Sequence, residues 1–534
     1  MLKQMQAEPI DRGKRQNWIP DILLSVLIIA AAVGAYWSIT GTGFVSDDFL
    51  WHSFFKNTIG DLYEKLMLQH RGEIELAYFR PTLIFSYQVD YNLFGDSPFA
   101  FHLINVLLHA LNAVLVYFLA QKVGLGRFGS FAGSIFFSIY PANAEAVNWI
   151  SGRGDVMSVL WILVSLLLWC SWREKRSRTM LVVSAAAFII AIGAKESAAA
   201  IIFVLPFIDW LLNLKAGAKS ERKSGYGWAG WLVFAVIVAG VVAFRWWLFG
   251  DIGGPRGPDN TAKYFDITIV QAWSTLVYSN LKMMFTPVSR LLWPGWPDVW
   301  KVAIIGVGTL LGLVLAGGLI FSVFGRKQNR QNLAVIVAGI LWILIMMLPV
   351  LPLAPIFDSM IRTRYLYAPA IGLAFWLGVS MGMLWKGGYF RKAIAVLILV
   401  GMVTVSGYTI DRYNEAWRQS SDIAQGIHEV MAENTLFLES GGTVFQINFP
   451  RHYKGTPCAP YRYGEYLEFL YGYKNVRTFH LEKLPREIPF WWGALRRGWR
   501  SPAAAFLWDN ASKSVIPLQP IDPDYIERRD RAEG

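Results

Sequence analysis

The sequence predicts a polytopic α-helical membrane protein with about eleven transmembrane helices and a small C-terminal α+β domain outside the membrane. Hydrophobic residues make up 54% of the 534 residues, only 16% are charged, and 24 are Trp. This composition is far more apolar than that of soluble domains. Apolar runs of roughly the 20 residues that a bilayer requires recur along the chain. A soluble multidomain protein is therefore excluded.

Each predicted crossing is an apolar run of suitable length. The runs cover residues 18–40, 101–121, 128–148, 155–172, 179–194, 197–214, 228–249, 301–324, 332–353, 364–385 and 392–410. Basic residues precede the first run, and no small-residue cleavage site stands out, which predicts an uncleaved signal anchor. The apolar piece from Ile269 to Phe285 is expected to lie in the interface or to re-enter on one side. Two further crossings there are the alternative.

Charge predicts the orientation of these runs. The formal net charge is +12, and Lys and Arg gather in alternate loops, which favours the cytoplasmic side for those loops. Membrane lipids are therefore the expected partners of the basic residues, and no nucleic acid is expected. The membrane domain covers residues 1–410, with the N-terminus in the cytoplasm. Its loops 41–100 and 250–300, and the domain 411–534, lie outside.

The composition changes after the last apolar run. A polar helical stretch from Asp411 to about Glu433 precedes short strand-like runs at Thr443–Phe449 and Ala503–Trp508. These features predict a small α+β domain. The chain's two cysteines are too few for a metal cluster and badly placed to pair with each other.

Charged residues collect at the predicted outer ends of the spans. Asp47 and Asp48 follow the first span, and a solvated loop is the simple interpretation of this pair alone. The other residues of this set are Arg80, Glu145, Arg153, Asp155, Lys195, Glu196, Arg362 and Arg364, with Tyr365 beside the last. Such groups can be interfacial anchors whose heads reach water. However, the outer face should be poor in Lys and Arg, and an anionic ligand would explain these exceptions.

The acids and cations suit one kind of chemistry. A polyprenyl-phosphate sugar places its phosphate at the headgroup level, where guanidinium and ammonium groups can hold it. A carboxylate near the anomeric carbon would then take the proton of the acceptor hydroxyl. Because Asp47 and Asp48 are adjacent on an extended loop, they point in different directions, which suits a base and a positioning group. No cofactor is required by this scheme, and a divalent metal is not excluded.

Two histidines share one face of a predicted span. His102 and His109 are seven residues apart. A histidine within a span more often forms hydrogen bonds to a neighbouring helix than it binds a ligand. We therefore expect both to support the site, since a metal site would need further ligands.

Several motifs together resemble a known family. They are Phe44–Asp48, Phe79–Leu83, Tyr91–His109, Glu145–Asp155, Ala194–Glu196, Asp259–Asn260, Tyr278–Asn280 and Arg364–Tyr367. As a set, and in this order, they resemble the membrane half of the transmembrane and tetratricopeptide-repeat O-mannosyltransferases, which are GT-C glycosyltransferases. The resemblance covers about residues 40–420. It implies a GT-C fold, a polyprenyl-phosphate sugar donor used on the outer face, metal-independent inverting transfer, and Asp47 as the base.

Three departures from that family limit what the resemblance implies. The repeat array is missing, the usual His-Pro-x-His reads Tyr140-Pro-Ala-Asn143, and Arg362 replaces an acid. The sugar, and a protein, glycan or lipid acceptor, therefore stay open, although mannose-like transfer is expected. An enzyme of the bacterial inner membrane with a periplasmic C-terminal domain is the simpler interpretation. The alternatives are a lipid or anion transporter, which would place coupling charges near the midplane, and a non-catalytic membrane scaffold.

Overall fold

The protein is described by a computed structural model that covers most of the membrane part and pieces of the C-terminal part. The described residues are 18–49, 79–216, 227–250, 268–324, 330–350, 356, 359–434, 442–447, 449–450, 452–458, 476–481, 503–509 and 512–521. Residues 50–78 of the predicted outer loop 41–100, and the motif Asp259–Asn260, lie outside these ranges.

α-Helices dominate the described residues. In chain order they are α1 (Ile19–Tyr36), α2 (Pro81–Phe94), α3 (Pro98–Lys122), α4 (Arg127–Ser138), α5 (Ala144–Asn148), α6 (Arg153–Lys175), α7 (Arg178–Ala194), α8 (Leu205–Ala216), α9 (Gly227–Phe249), α10 (Ile269–Ser274), α11 (Lys282–Phe285), α12 (Asp298–Phe324), α13 (Arg330–Met347), α14 (Ala370–Trp385) and α15 (Tyr389–Glu433). Short 3-10 turns link several of them, and a π-helical stretch, Thr275–Leu281, joins α10 to α11.

The chain is an integral membrane protein. Among the described residues, seven helices are long and apolar enough to span a bilayer, or eight if the bent pair Glu196–Phe203 and Leu205–Ala216 forms one span. A helix begins within or beside each of the eleven predicted runs, but α4, α7 and α14 are shorter than the length of a span. The count of eleven therefore stays a prediction.

Prolines set where two of the helices near the site begin. Pro81 and Pro98 occupy the first turns of α2 and α3, where a missing N–H costs nothing and the fixed φ angle already suits a helix. Gly95 ends α2 with a φ of +63°, which few other residues adopt. The chain therefore turns between α2 and α3 within a few residues.

Close backbone contact aligns α4 with α14. A Cβ atom added to Gly129 would lie 2.5 Å from the carbonyl oxygen of Gly378, and one added to Gly133 would lie 2.4 Å from that of Ala374. Small residues allow such an approach between helices in a membrane. Because α4 leads to Glu145 and α14 follows Arg364, this packing brings both residues to the same end of the helices.

The stretch from Ile269 to Phe285 is helical throughout and is not among the helices that pass as spans. Its end packs inward: Met283 and Met284 are buried, and the Ser289 N–H that follows donates to the Tyr413 hydroxyl at 2.8 Å. That this piece stays on one side of the membrane remains a prediction.

The last helix carries the chain from the membrane part to a β-sheet. α15 is 45 residues long and passes residue 411 without a break, ending at Glu433 as the polar helical stretch predicts. The strands are β1 (Gly442–Ile447), β2 (His452–Tyr453), β3 (Thr456–Pro457), β4 (Val476–Leu481), β5 (Ala503–Asp509) and β6 (Ser514–Ile521). The sheet order is β4-β1-β5-β6, with β1 parallel to both neighbours and β6 antiparallel to β5. A separate domain from residue 411 stays a prediction.

Candidate active site

The loop that carries the two acids is held by the C-terminal half of the chain. The Gly43 N–H donates to the Ser421 hydroxyl of α15 at 2.8 Å, and the Ser46 N–H donates to the Cys458 carbonyl at 3.0 Å. Ser46 has a φ of +48°, the left-handed region that few non-glycine residues adopt. The strained turn directs the next two residues, Asp47 and Asp48, to different surroundings.

Asp48 is enclosed and fully hydrogen-bonded. It is 1% exposed, and its carboxylate accepts the Val45 N–H at 3.0 Å, the Ser151 N–H at 2.8 Å and the Ser151 hydroxyl at 2.5 Å. Burial raises the pKa of Asp48 to about 7, although these hydrogen bonds lower it and the charge of Asp47 raises it further. Asp47 itself is half-buried.

Arg364 and Glu145 form an ion pair beside this loop. The guanidinium donates to one oxygen of Glu145, and the Arg364 N–H donates to the other at 2.9 Å. The guanidinium also lies 4.7 Å from the centre of the Trp149 ring. Burial alone would lower the pKa of Arg364, but the charges of Glu145 and Asp47 help to raise it above its ordinary value. Asp47 therefore lies within electrostatic reach of this cation.

Two further cations lie next to this pair. Lys195 donates to Asp155 at 2.5 Å, and its ammonium lies 5.0 Å from the centre of the Tyr365 ring. The same ring lies 4.9 Å from the Arg364 guanidinium, so Tyr365 stands between two positive charges. Arg80 holds Glu196 through two hydrogen bonds of 3.0 and 2.8 Å. The structure therefore brings Arg364, Lys195 and Tyr365 together, with Arg80 paired to the neighbour of Lys195.

Arg362 has an unusual backbone. Its φ of +73° is left-handed, and its side chain is half-buried. It precedes the 3-10 turn Thr363–Leu366, which carries Arg364 and Tyr365. The place of Arg362 in the cationic set stays a prediction.

Arg153 is enclosed, unlike the other predicted cations. It is 0% exposed, forms an ion pair with Asp90, and donates to the Asn105 amide oxygen at 2.6 Å and the Phe101 carbonyl at 2.9 Å. Its guanidinium also lies 4.7 Å from the Tyr87 ring centre. A cation so fully engaged has no surface for a ligand. Its geometry favours a structural role over the predicted contact with a phosphate.

The two histidines lie inside the helix packing. Both are buried, and the ring nitrogens of His109 bond the Tyr367 hydroxyl at 2.7 Å and the Ser138 carbonyl at 2.9 Å. His102 lies close to the backbone of Thr42 and Gly43, at the start of the acid loop. In the described part of the chain, no three His, Cys, Asp or Glu side chains could together hold a metal ion. That the site requires no metal stays a prediction.

A hairpin from the C-terminal half contacts both the loop that carries Asp47 and the segment that precedes Arg364. β2 and β3 are joined by Lys454 and Gly455, whose φ angles of +49° and +88° suit a tight two-residue turn. The residue after β3, Cys458, accepts the hydrogen bond of the acid loop. The turn lies against Ser359, ahead of Arg364, because a Cβ atom added to Gly455 would be 2.1 Å from the Ser359 carbonyl oxygen. We call residues 452–458 the clamp hairpin.

Substitution of Gly455 tests the clamp hairpin. Gly455→Ala should lower the midpoint of thermal unfolding, because the methyl group would collide with the Ser359 carbonyl and force the hairpin away from the acid loop. Gly250→Ala is the matched control: Gly250 also has a positive φ, of +73°, but no atom within 4 Å of an added Cβ. Both variants carry the same backbone strain, so an equal loss in the two would contradict this role.

Sequence reasoning missed several residues of this region. Asp90, the partner of Arg153, is an acid within the apolar helix α2, and an ionisable residue in such a setting is itself a signal of a paired charge. Ser151 lies within the motif Glu145–Asp155, but neither it nor the clamp hairpin carries a signal of its contact with the acid loop. Arg245 lies near Glu196: burial alone would raise the pKa of this carboxyl, but the charges of Arg80 and Arg245 lower it. Asp90 and Arg245 were detectable, whereas Ser151 and the hairpin were not.

Together, the described helices and the charges at one end of them define a membrane protein with a carboxylate and cation cluster. No protein-family model matches the sequence. It is 23% identical over 397 residues to protein O-mannosyl-transferase TMTC4 of Mus musculus, covering 65% of this chain and 52% of that protein. It is 21% identical over 515 residues to protein O-mannosyl-transferase TMTC3 of Homo sapiens, covering 86% and 54%. The predicted resemblance to O-mannosyltransferases is confirmed.

The chain spans about half the length of these curated relatives. Among solved structures, ArnT from Cupriavidus metallidurans bound to undecaprenyl phosphate is 14% identical with a TM-score of 0.42, covering 93% of this chain and 94% of that one. The Archaeoglobus fulgidus oligosaccharyltransferase in complex with Zn and sulfate is 12% identical with a TM-score of 0.49, covering 85% and 62%. With scores below 0.5, neither likeness supports a conclusion about this chain.

Proposed function

We propose that this chain is a membrane glycosyltransferase of the GT-C type. It moves a sugar, in the manner of a mannosyltransferase, from a polyprenyl-phosphate donor to an acceptor hydroxyl at the outer face of the membrane. The observation that carries the proposal is that Asp47 lies within electrostatic reach of Arg364, which shares the Tyr365 ring with Lys195. The similarity to protein O-mannosyltransferases supports the same activity.

The cations would hold the departing phosphate. Arg364 and Lys195 are paired with carboxylates, so both are held in place before the donor arrives, and Arg362 lies just before Arg364 on the same segment. Glu145, Tyr365 and Glu196 then act as supports that orient the cations. The positive charge stabilises the phosphate as it leaves, which removes the need for a strong general acid.

The transfer step uses a single base. The acceptor oxygen attacks the anomeric carbon, and the bond from that carbon to the phosphate oxygen breaks. The phosphate leaves with the bonding electrons, and Asp47 takes the proton of the acceptor hydroxyl. Attack opposite to the leaving group inverts the anomeric centre. The acceptor can be a protein, a glycan or a lipid, since the chemistry requires only a hydroxyl.

We assign Asp48 to positioning. All three of its hydrogen bonds hold the loop that presents Asp47, and its enclosure leaves no room for a substrate. Arg153, His102 and His109 have comparable structural roles, since each is buried among the helices that support the loop.

The clamp hairpin supports the proposed location of the C-terminal part. Because the hairpin bonds the acid loop directly, residues 452–458 lie at the same end of the helices as Asp47. With the N-terminus in the cytoplasm and eleven crossings, that end faces the periplasm of a bacterial inner membrane.

Replacing Arg364 tests the phosphate assignment. Arg364→Ala should lower kcat/KM for the donor roughly 10- to 100-fold, the effect of losing a charged hydrogen bond, while the acceptor KM stays unchanged. Arg364→Lys should retain part of the activity, because it keeps the charge. Arg418→Ala, which removes an exposed arginine paired with Glu415, is the control and should have no effect. A change confined to the acceptor KM would contradict the assignment.

A second test uses pH. Since the pKa of Asp48 is raised to about 7, transfer should fall as the pH drops through this value, because a protonated Asp48 no longer accepts all of its hydrogen bonds. Ser151→Ala removes one bond to the ionised form, so the fall should move about one to two pH units higher. Ser512→Ala is the control: this exposed hydroxyl bonds the half-buried Asp509 at 2.6 Å. An unchanged profile in Ser151→Ala would exclude Asp48 as the titrating group.

A further inference from the structure

A second cleft lies at the other end of the helices. It has a volume of about 210 Å³ between α4, α13 and α14. α4 begins at this cleft and leads away from it to Glu145, and α14, which follows Arg364, ends here at Trp385. The cleft is therefore at the face predicted to be cytoplasmic, far from the candidate active site.

The cleft has an apolar floor and a cationic rim. Leu125, Val335, Val379 and Met383 line its apolar part, and Arg127, Lys386 and Asn332 line its polar part. Arg127 is paired with Asp21 at 3.0 Å, yet its side chain remains 45% exposed. Lys386 is exposed at the end of α14. An apolar groove that ends in positive charge matches an amphiphile with an anionic head.

Aromatic side chains lie between the apolar floor of the cleft and its cationic rim. The rings of Phe128 and Trp385 are stacked with their centres 3.9 Å apart and an angle of 10° between their planes. The Lys392 ammonium lies 5.7 Å from the Trp385 ring centre, which adds a third cation near the rim. Aromatic rings of this kind concentrate at the level of lipid headgroups.

The walls of the cleft are held together by polar and backbone contacts. The Gln331 side-chain amide at the start of α13 donates to the Val123 carbonyl at 2.9 Å, which fixes α13 to the turn before α4. The close approach of Gly129 to Gly378 fixes α4 against α14. The cleft therefore exists before a ligand arrives, which lowers the entropic cost of binding.

We propose that this cleft binds an anionic phospholipid of the cytoplasmic leaflet. The phosphate lies between Arg127 and Lys386, and part of one acyl chain lies on the apolar floor beside Gly382. Basic pockets between transmembrane helices on this side of a membrane bind anionic headgroups in this way. A zwitterionic lipid carries a compensating cation, and free phosphate gains nothing from the apolar floor, so both bind less tightly. The site is separate from the proposed transfer reaction.

Lipid binding to the purified chain in detergent tests this proposal without any transfer assay. Radiolabelled phosphatidylglycerol should bind more tightly than phosphatidylcholine, and 10 mM inorganic phosphate should not displace it. Lys386→Gln should weaken phosphatidylglycerol binding about fivefold, the effect of one cation near a charged surface. Lys175→Gln removes an exposed lysine at the predicted cytoplasmic end of α6. Lys175 does not line the cleft, so this variant should bind phosphatidylglycerol as the wild type does.

A second variant tests the acyl-chain part alone. An added Cβ at Gly382 lies 3.6 Å from the nearest atom, so Gly382→Leu should fold and fill the floor. It should reduce phosphatidylglycerol binding while the cations remain. Equal binding of the two lipids, equal losses in Lys386→Gln and Lys175→Gln, unchanged binding in Gly382→Leu, or displacement by inorganic phosphate would each overturn the proposal.

Discussion

Asp47→Asn should lower the rate of sugar transfer about 10²- to 10⁴-fold, the usual cost of removing a general base. Asn has the shape of Asp but cannot take the acceptor proton, so the loop and its contacts should be kept. The measurement is the turnover of the purified enzyme with a radiolabelled polyprenyl-phosphate sugar. Thermal unfolding of the variant should match that of the wild type, which separates a lost base from a lost fold.

Asp48→Asn is the companion variant and should differ in kind. Its amide cannot accept both Ser151 donors and the Val45 N–H as the carboxylate does, so the loop should loosen. The loss should therefore appear partly as a raised acceptor KM. Near-normal turnover in Asp47→Asn together with no turnover in Asp48→Asn would exchange the two roles. Activity in both variants would mean that neither acid takes part in catalysis, and that Asp48 is buried for a structural reason alone.

Arg153→Met should destabilise the protein by about 3–5 kcal/mol, because it leaves the Asp90 carboxylate buried without its partner. The measurements are the midpoint of thermal unfolding and the rate of proteolysis. The double variant Arg153→Met/Asp90→Leu should recover most of the loss, since replacing both charges removes the unpaired ion. Arg412→Met, at an exposed arginine paired with Asp411, is the control and should change stability by less than about 0.5 kcal/mol.

The same variants distinguish the structural role of Arg153 from a phosphate-binding role. If Arg153 binds the donor, Arg153→Met would raise the donor KM while stability stays unchanged, and the double variant would not recover activity. That pattern would return Arg153 to the cationic set with Arg364 and Lys195.

Much of the fold could be predicted from the sequence because its signals are local. Apolar runs and prolines define helices within a few residues, and α15 ends at Glu433, as its polar stretch indicates. The number of crossings is harder to predict, because a run such as 128–148 is divided here into α4, a 3-10 turn and α5. Pro141 lies within that division, and a proline removes a backbone donor and disfavours helix in the preceding residue.

The charged residues of the site could be predicted from the sequence, but the ion pairs that they form could not. Motifs placed Glu145, Lys195, Glu196 and Arg364 at one end of the spans. Sequence adjacency suggests that Arg153 neutralises Asp155 and that Lys195 neutralises Glu196. The structure pairs Lys195 with Asp155 and Arg80 with Glu196 instead. Such partners depend on how helices pack, and residues 40 or 116 positions apart, as in these two pairs, carry no local signal of their contact.

The most direct test of the central claim is sugar transfer by the purified chain in lipid vesicles. Polyprenyl-phosphate sugars of several kinds, each labelled in the sugar, are supplied with hydroxyl acceptors from the protein, glycan and lipid classes. We expect one donor to lose its sugar to an acceptor with inversion at the anomeric carbon, releasing polyprenyl phosphate in equal amount, and Asp47→Asn to abolish this release. Release that persists in Asp47→Asn, or no release from any donor by the folded wild-type protein, would contradict the account.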